Sequence, residues 1–399
     1  MRSGRKLKVL FITEFLPWPL NSGGRIRSYH ILRQVASRHD VTLIAADYDG
    51  VEKYFSNMVS KLYVAQGEKH KLSKWLFLFL SLFNPKPFVH VFSCYNKLIL
   101  NIINREMRLM DFDIIHLDHL DAAIYLSAFK DKESKVYLDE HNFETHLINS
   151  LRNSEKNLFW KIYLKNQMKK IQKFEVDTLN RVDAVGVVSS NDAEMIKKFV
   201  KKDKVSIIPN GVDINFFSID RTPEPYSLIY VGSLDWRPNV EGIIWFLQNV
   251  WPRLIKEKPK SHFWIVGRNP QKELYRYIDE QVNIAASVYD VREYVKRAAV
   301  FIVPLFSGGG TRLKILEAMA MRIPVVSTSK GAEGIECKNN LHICIADNKD
   351  LFLKSIIALF EKERFASGVS RAAYDLVKAK YSWDAIGEQL ENVYQRLVI

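Results

Sequence analysis

Gly308-Gly309-Gly310-Thr311-Arg312-Leu313-Lys314-Ile315-Leu316-Glu317-Ala318-Met319-Ala320 joins a glycine run to an apolar helical pattern that carries only three charges. The run before it, 300–305, is short, apolar and largely β-branched or aromatic, which predicts a buried parallel strand delivering the chain to Gly308. Glycine lets a backbone approach a ligand closely, and the helix start that follows offers unpaired N–H groups at a positive dipole end. Thr311, Arg312 and Lys314 add a hydroxyl and two cations there, where the dipole alone favours Asp or Glu. An anionic ligand, a diphosphate, is the simplest reason for them. Glu317 lies one turn beyond Lys314 among apolar neighbours, so it predicts a carboxylate that accepts both hydroxyls of a ribose; an i,i+3 ion pair with Lys314 on a surface helix is the other reading. The spacing is neither a Walker loop nor a Gly-x-Gly-x-x-Gly fingerprint.

The stretch 304–326, ending Glu-Ala-Met-Ala-Met-Arg-Ile-Pro-Val-Val, resembles the C-terminal donor motif of glycosyltransferase family 4, retaining enzymes of the GT-B fold. Ile208-Pro209-Asn210-Gly211-Val212-Asp213 is similar to that family's interdomain signature, and Tyr230-Val231-Gly232-Ser233-Leu234-Asp235-Trp236-Arg237-Pro238-Asn239 to its first C-domain phosphate loop. Gly331-Ala332-Glu333-Gly334-Ile335 continues the pattern, and the loop is most similar to those of bacterial exopolysaccharide sugar transferases. The resemblance implies donor binding by Gly232, Ser233, Val288, Gly309, Gly310 and Thr311, with Val288 framing the base through its backbone. It implies catalytic contacts from His116, Arg237, Arg312, Lys314 and Glu317. Ser233 stands where the family usually has an Arg, and Arg237 one residue short of its Lys; Gly309 stands where most members carry a second Glu. On the acceptor side it implies Gly23, Gly24 and Arg25, in a loop after the first strand, with His141 and Glu144.

The residues point the same way at lower resolution. Asp113-Ile114-Ile115-His116-Leu117-Asp118-His119 and Asp139-Glu140-His141-Asn142-Phe143-Glu144 put imidazoles beside carboxylates at two strand ends, where open α/β sheets build their sites. Their spacing matches no compact metal motif, and neither metal nor cofactor is expected. Strand patterns fall at 8–13, 41–46, 61–64, 114–117, 135–138, 184–188 and 205–208, then at 227–231, 262–266, 285–288, 300–303, 325–327 and 342–345, with helical patterns between. Such alternation predicts α/β architecture: two Rossmann-like, doubly wound domains facing a central cleft. The expected bounds are 1–209 for an acceptor-binding domain, 210–380 for a nucleotide-sugar domain, and 381–399 for a terminal helix crossing back.

Composition agrees with two ordinary cores: 399 residues, 47% hydrophobic. Cys94, Cys337 and Cys344 show no metal spacing and cannot all pair, which predicts a reducing, cytoplasmic setting. The basic start breaks too early at Glu14 and Pro17 for a signal peptide, and the apolar run 75–83 is too short to span a bilayer. That run, flanked by Lys69, Lys71, Lys74 and Lys86, reads either as a core helix or as one that enters a lipid interface. Net charge is +13; residues 1–209 hold 33 Lys/Arg against 23 Asp/Glu, and residues 210–399 hold 25 against 22. The stretch 152–173 contributes seven cations against one acid, with aromatic residues interleaved, so an anionic partner is expected: a membrane surface or lipid-pyrophosphate acceptor rather than nucleic acid, for which no motif is present. The expected activity is retaining transfer of a sugar from a nucleoside diphosphate sugar to a glycan or lipid-linked acceptor. The alternatives are a nucleotide-sugar epimerase and a silent partner subunit.

Overall fold

A computed structural model describes residues 5–47, 50–66, 74–87, 95–130, 133–308 and 312–399, with the side chains of 66 and 74–77 excepted. Gly309, Gly310, Thr311, Cys94, Lys69 and Lys71 lie outside the described residues. By its contacts the chain divides into two compact units, Met1–Pro209 with Ile386–Ile399, and Asn210–Ala385.

The first unit runs β1 (Lys8–Phe15), α1 (Gly23–Ala36), β2 (Asp40–Asp47), β3 (Lys61–Gln66), α2 (Lys74–Phe83), α3 (Lys97–Leu109), β4 (Ile114–Asp118), α4 (His119–Ala122), β5 (Lys135–Glu140), α5 (Glu144–Ser154), α6 (Leu158–Arg181), β6 (Ala184–Val187), α7 (Ser190–Ile196) and β7 (Val205–Ile207). Its strands form one parallel sheet in the order β3-β2-β1-β4-β5-β6-β7. Val9 to Ile12 and Ile114 to Leu117 are wholly buried, as parallel strands covered on both faces must be. Connectivity reverses between β1 and β4, where Leu10 pairs with Thr42 on one side and Ile115 on the other. Loops leave such a switch point in opposite directions and open a crevice at the strands' carboxyl ends.

The second unit repeats the plan with β8 (Ser227–Val231), α8 (Arg237–Asn249), α9 (Trp251–Glu257), β9 (His262–Gly267), β10 (Val282–Ala286), α10 (Arg292–Val295), β11 (Val300–Val303), α11 (Leu313–Ala320), β12 (Val325–Ser327), β13 (Cys344–Ile345), α12 (Lys349–Glu361) and α13 (Glu363–Leu376). The order β10-β9-β8-β11-β12-β13 puts its switch point between β8 and β11. The final helix, α14 (Trp383–Val398), starts in this unit, and its residues from Ile386 onward belong to the first.

Two strands differ from the sequence reading. The third strand of the second half lies at Val282–Ala286 instead of 285–288, because Asp279 Oδ1 accepts the N–H groups of Gln281 and Val282, both at 2.7 Å, and launches the strand there. Ser287, at φ 51°, ends it. The last strand is confined to Cys344–Ile345, since Asn340 turns at φ 59° just before it.

Close packing makes two glycines structural. A Cβ on Gly186 would lie 1.8 Å from Tyr137 Oη, and one on Gly242 would lie 2.2 Å from the Pro304 carbonyl, whereas on Gly368, inside α13, it meets nothing within 4 Å. Thermal unfolding of three variants checks this: Gly186→Ala and Gly242→Ala each lose roughly 1–3 kcal/mol to overpacking, while Gly368→Ala gains up to about 1 kcal/mol through helix propensity.

Candidate active site

In the first unit the sequence-predicted residues gather where β1, β4 and β5 end. Ser22 caps α1, and its first turn brings Gly24 within 3.9 Å of His141 Nδ1, measured from where a Cβ would sit. Arg25 donates to the Trp18 carbonyl at 2.6 Å and lies over the Phe15 ring. His141 Nε2 lies 3.1 Å from Asp118 Oδ1 and 3.3 Å from Asp139 Oδ2. Burial works against its charge, but the two carboxylates outweigh burial and raise its pKa. Asp118 also accepts from Thr13 Oγ1 at 2.7 Å. Asp139 is bound by the buried guanidinium of Arg27, at 2.6 and 2.9 Å, and the same guanidinium donates to the Pro209 carbonyl at 3.1 Å.

His116 corrects the sequence reading. Expected to meet the sugar, it is 0% exposed, stacked on Phe11 at 4.1 Å and bonded through Nδ1 to Tyr394 Oη at 2.5 Å. Burial pushes its pKa down to about 4, so it stays neutral near pH 7. The reason is strand periodicity: alternate residues of β4 face opposite sides of the sheet, and both sides are covered. The half-buried histidine of this strand end is His119, held at φ 72° with Nδ1 3.2 Å from Asp121 and Nε2 3.3 Å from Glu144. Burial opposes its charge too, yet those two carboxylates raise its pKa well above the ordinary value. His116, Asp118 and Asp139 bring ligand atoms within 4.8 Å of one another, but the Arg27 cation already occupies Asp139 and the His141 imidazole occupies Asp118.

Behind this face, Glu140 is buried with neither carboxylate oxygen hydrogen-bonded. Burial and then Glu175 push its pKa well above the carboxylate range. Glu175 itself accepts from the N–H groups of Glu144 and Thr145, at 2.7 and 3.0 Å, and so fixes the start of α5.

The second unit builds its site from the ends of β8 and β11. Gly308, at φ 93°, lies against the Trp236 indole, where a Cβ would come within 2.7 Å of the ring. Arg312, buried at the cap of α11, stacks over the same indole and donates to the Ser307 carbonyl at 3.3 Å. Lys314 Nζ donates to Tyr230 Oη at 2.7 Å and Asn239 Oδ1 at 3.2 Å, pressed against the backbone of Gly232, where a Cβ would lie 2.5 Å away. Both hydrogen-bond partners are neutral. Burial, and then repulsion from Arg312, lowers the Lys314 pKa to about 7. Burial raises Glu317 to about 7, only partly offset by Lys314. Asn239 Nδ2 donates in turn to the Ser233 carbonyl at 2.7 Å. Arg237, at the start of α8, is exposed and bonded to Glu241 at 2.6 Å. Val288 packs half-buried on this unit's core.

Two family models match the chain. One, described as glycosyltransferase family 4, covers residues 22–216, and the other, glycosyl transferases group 1, covers residues 225–362. The chain is a member of glycosyltransferase family 4. A Klebsiella pneumoniae 44.6 kDa protein of the cps region is 25% identical over 94% of this transferase and 96% of its own length. A Bacillus subtilis teichuronic acid biosynthesis glycosyltransferase, TuaC, is 26% identical over 35% of this chain and 36% of its own. Among solved structures, Anabaena HepE, in complex with UDP and glucose, superimposes with a TM-score of 0.66 at 13% identity, covering 98% of this chain and 100% of that one. Sucrose-phosphate synthase from Thermosynechococcus elongatus gives 0.70 at 15% identity, covering 98% and 99%. These superpositions show the GT-B fold.

Several groups that shape the transferase's two strand-end clusters escaped sequence reading. Arg27 looks like any helical cation until Asp139 is known to lie beside it, and Thr13 and Glu175 carry no local signal. Tyr230 and Asn239 stood inside a recognised motif, where only a parallel β8–β11 pair could show that they flank Lys314.

Imidazole NMR across pH 5–8 tests the three histidines: His116 stays neutral, whereas His119 and His141 titrate above the ordinary histidine value. A folded-state pKa raised above the unfolded value gives stability that is full below about pH 6.5 and is lost as pH rises through the folded value. Denaturant unfolding therefore shows the wild type's advantage over His119→Gln shrinking as pH rises above neutrality.

Proposed function

We propose that this transferase moves a sugar, with retention of anomeric configuration, from a UDP- or GDP-linked donor to a glycan or lipid-linked acceptor in cell-surface polysaccharide synthesis. The second unit takes the donor, and the first takes the acceptor, presented at an anionic membrane surface. The observation that carries this reading is Lys314, a desolvated ammonium at the start of a helix whose hydrogen-bond partners are both neutral. A diphosphate supplies the missing countercharge. The cps-region relative and the UDP complex of HepE support the pathway class and the donor class.

Chemically, the barrier lies in charge growing on the departing diphosphate. Lys314, Arg312 and the N–H groups at the start of α11 stabilise that charge in place, and Gly309, Gly310 and Thr311 are assigned to donor binding by their place in the motif. Gly232 admits the phosphate to the backbone beside Lys314, and Ser233 closes the loop through Asn239. Arg237 joins the grip by exchanging Glu241 for phosphate. Glu317 accepts the ribose hydroxyls, and Val288 meets the base through its backbone. The acceptor hydroxyl attacks the face from which the diphosphate leaves, and a leaving phosphate oxygen takes its proton, so no protein base is required. Gly23, Gly24 and Arg25 hold the acceptor beside His141 and Glu144, and His119 offers a charged imidazole to its oxygens. His116 acts as a positioning residue under Asp118. A nucleotide-sugar epimerase is not favoured.

Two desolvated groups titrating near neutrality in opposite senses give this reading a sharp test. Above about pH 7 free Lys314 is neutral and must take up a proton to meet a diphosphate; below it, free Glu317 is protonated and must release one to accept two hydroxyls. Calorimetric titration with UDP, GDP, ADP, TDP and CMP in buffers of different ionisation enthalpy should show one diphosphate bound most tightly near pH 7. Lys314→Met removes proton uptake at pH 8 and weakens binding roughly ten- to hundredfold; Glu317→Gln removes release at pH 6. Binding indifferent to both substitutions would sink the assignment.

A further inference from the structure

We propose that the cleft between α8 and the turn after β9, in the second unit, is a separate carbohydrate site that takes a neutral, hydroxyl-rich saccharide. It goes beyond the transfer reaction proposed above and does not depend on it.

The cleft encloses about 520 Å³, within the roughly 300–1,000 Å³ of small-ligand sites. One wall is α8. Arg237, Glu241, Ile244, Trp245, Gln248 and Asn249 recur at helical spacing on one face and line the cleft along the whole helix, a span of roughly 18 Å. Opposite stand Gln271 and Glu273, where a short 3₁₀ turn over Lys272–Tyr277 begins. Hydrogen bonds brace the two walls at both ends. At one, the Gln271 N–H donates to the Leu234 carbonyl at 3.2 Å and Asn269 Nδ2 to Asp235 Oδ2 at 2.9 Å; at the other, Gln248 Nε2 donates to Tyr277 Oη at 2.6 Å. The walls are thus fixed by the protein's own bonds, which lowers the ordering cost of binding. The cleft also leads away from the cations at the start of α11. Asn239, which accepts from Lys314, is buried, whereas the lining residues of α8 continue to its last turn.

The chemistry of the lining selects the ligand. Three of its nitrogen donors are already engaged: Gln248 with Tyr277, Asn249 Nδ2 with the Trp245 carbonyl at 2.9 Å, and Arg237 Nε with Glu241 at 2.6 Å. The side-chain oxygens of Asp235, Glu241, Gln248, Asn249 and Glu273 make the cleft rich in acceptors, so its ligand must donate. A phosphate offers only acceptors and would meet three carboxylates. Sugar hydroxyls both donate and accept, and planar carboxylates and amides can take them in adjacent pairs. Val240, Ile244 and Trp245 supply the apolar strip that the C–H face of a sugar ring needs beside such groups. The Trp245 ring is held in turn by Phe306 at 4.6 Å and Phe352 at 5.7 Å. A cationic ligand fits less well, because Asp235 and Glu241 already hold donors and the Arg237 guanidinium stands exposed on the rim.

The test is saturation-transfer difference NMR on the full chain with glucose, galactose, mannose, N-acetylglucosamine, cellobiose, lactose and maltose. At least one should bind with a Kd on the order of 1 mM, with excess UDP or inorganic phosphate leaving it in place. Gln271→Ala with Glu273→Ala, and separately Gln248→Ala, change exposed side chains and should each weaken that binding about three- to tenfold. UDP binding and circular dichroism should stay unchanged in both variants. Binding of none of these sugars, binding indifferent to both variants, or displacement of the sugar by spermidine would overturn the proposal. UDP binding without sugar binding would sink the cleft and leave the transferase reading intact.

Discussion

The guanidinium of Arg27 organises the first unit. It rises from α1, is sealed from water, and bonds Asp139 at the end of β5 and the carbonyl of Pro209, where this unit's main segment ends. A buried cation without its carboxylate is costly, on the order of 3–5 kcal/mol when one partner is removed, so these elements cannot drift apart independently. Asp139 then stands beside His141, His141 beside Asp118, and Asp118 beside Thr13. Each carboxylate is shared between partners, and the line runs across the carboxyl ends of β5, β4 and β1. The protonation states of this face are consequences of that sharing.

The second unit solves the opposite problem. Its strand-end cations are crowded: burial lowers the pKa of both Lys314 and Arg312, Arg312 lowers that of Lys314 further, and the carboxylate one turn on, Glu317, is itself pushed toward neutrality. Opposite charges meet at Arg27 and Asp139, whereas at the start of α11 two buried cations repel each other beside the backbone of Gly232. The same α/β plan therefore carries paired opposite charges in one unit and repelling buried cations in the other.

Most of the fold was legible in the chain because buried parallel strands are written as short apolar runs and the helices between them as amphipathic ones. Legibility failed where side chains rather than periodicity set the boundary. Asp279 moved a strand start by three residues, and the left-handed Asn340 shortened another. Of the site, the groups named by motif came together at Gly232, Arg312 and Lys314. His116 did not, because a motif gives a residue's place on a strand but not which side of a covered sheet it faces.

Sequence alone determined the alternation of strand and helix, the glycine loop before α11, the family, and the excess of basic residues in the first half. These depend on local period, composition and spacing, all of which are properties of the linear chain. Only the tertiary structure decided that Arg27 is a buried tie rather than a surface cation, that Lys314 rests on Tyr230 and Asn239, and that His119 and not His116 reaches the surface. Burial and charge pairing are made by residues tens to hundreds of positions apart, and no local pattern records which of them will meet.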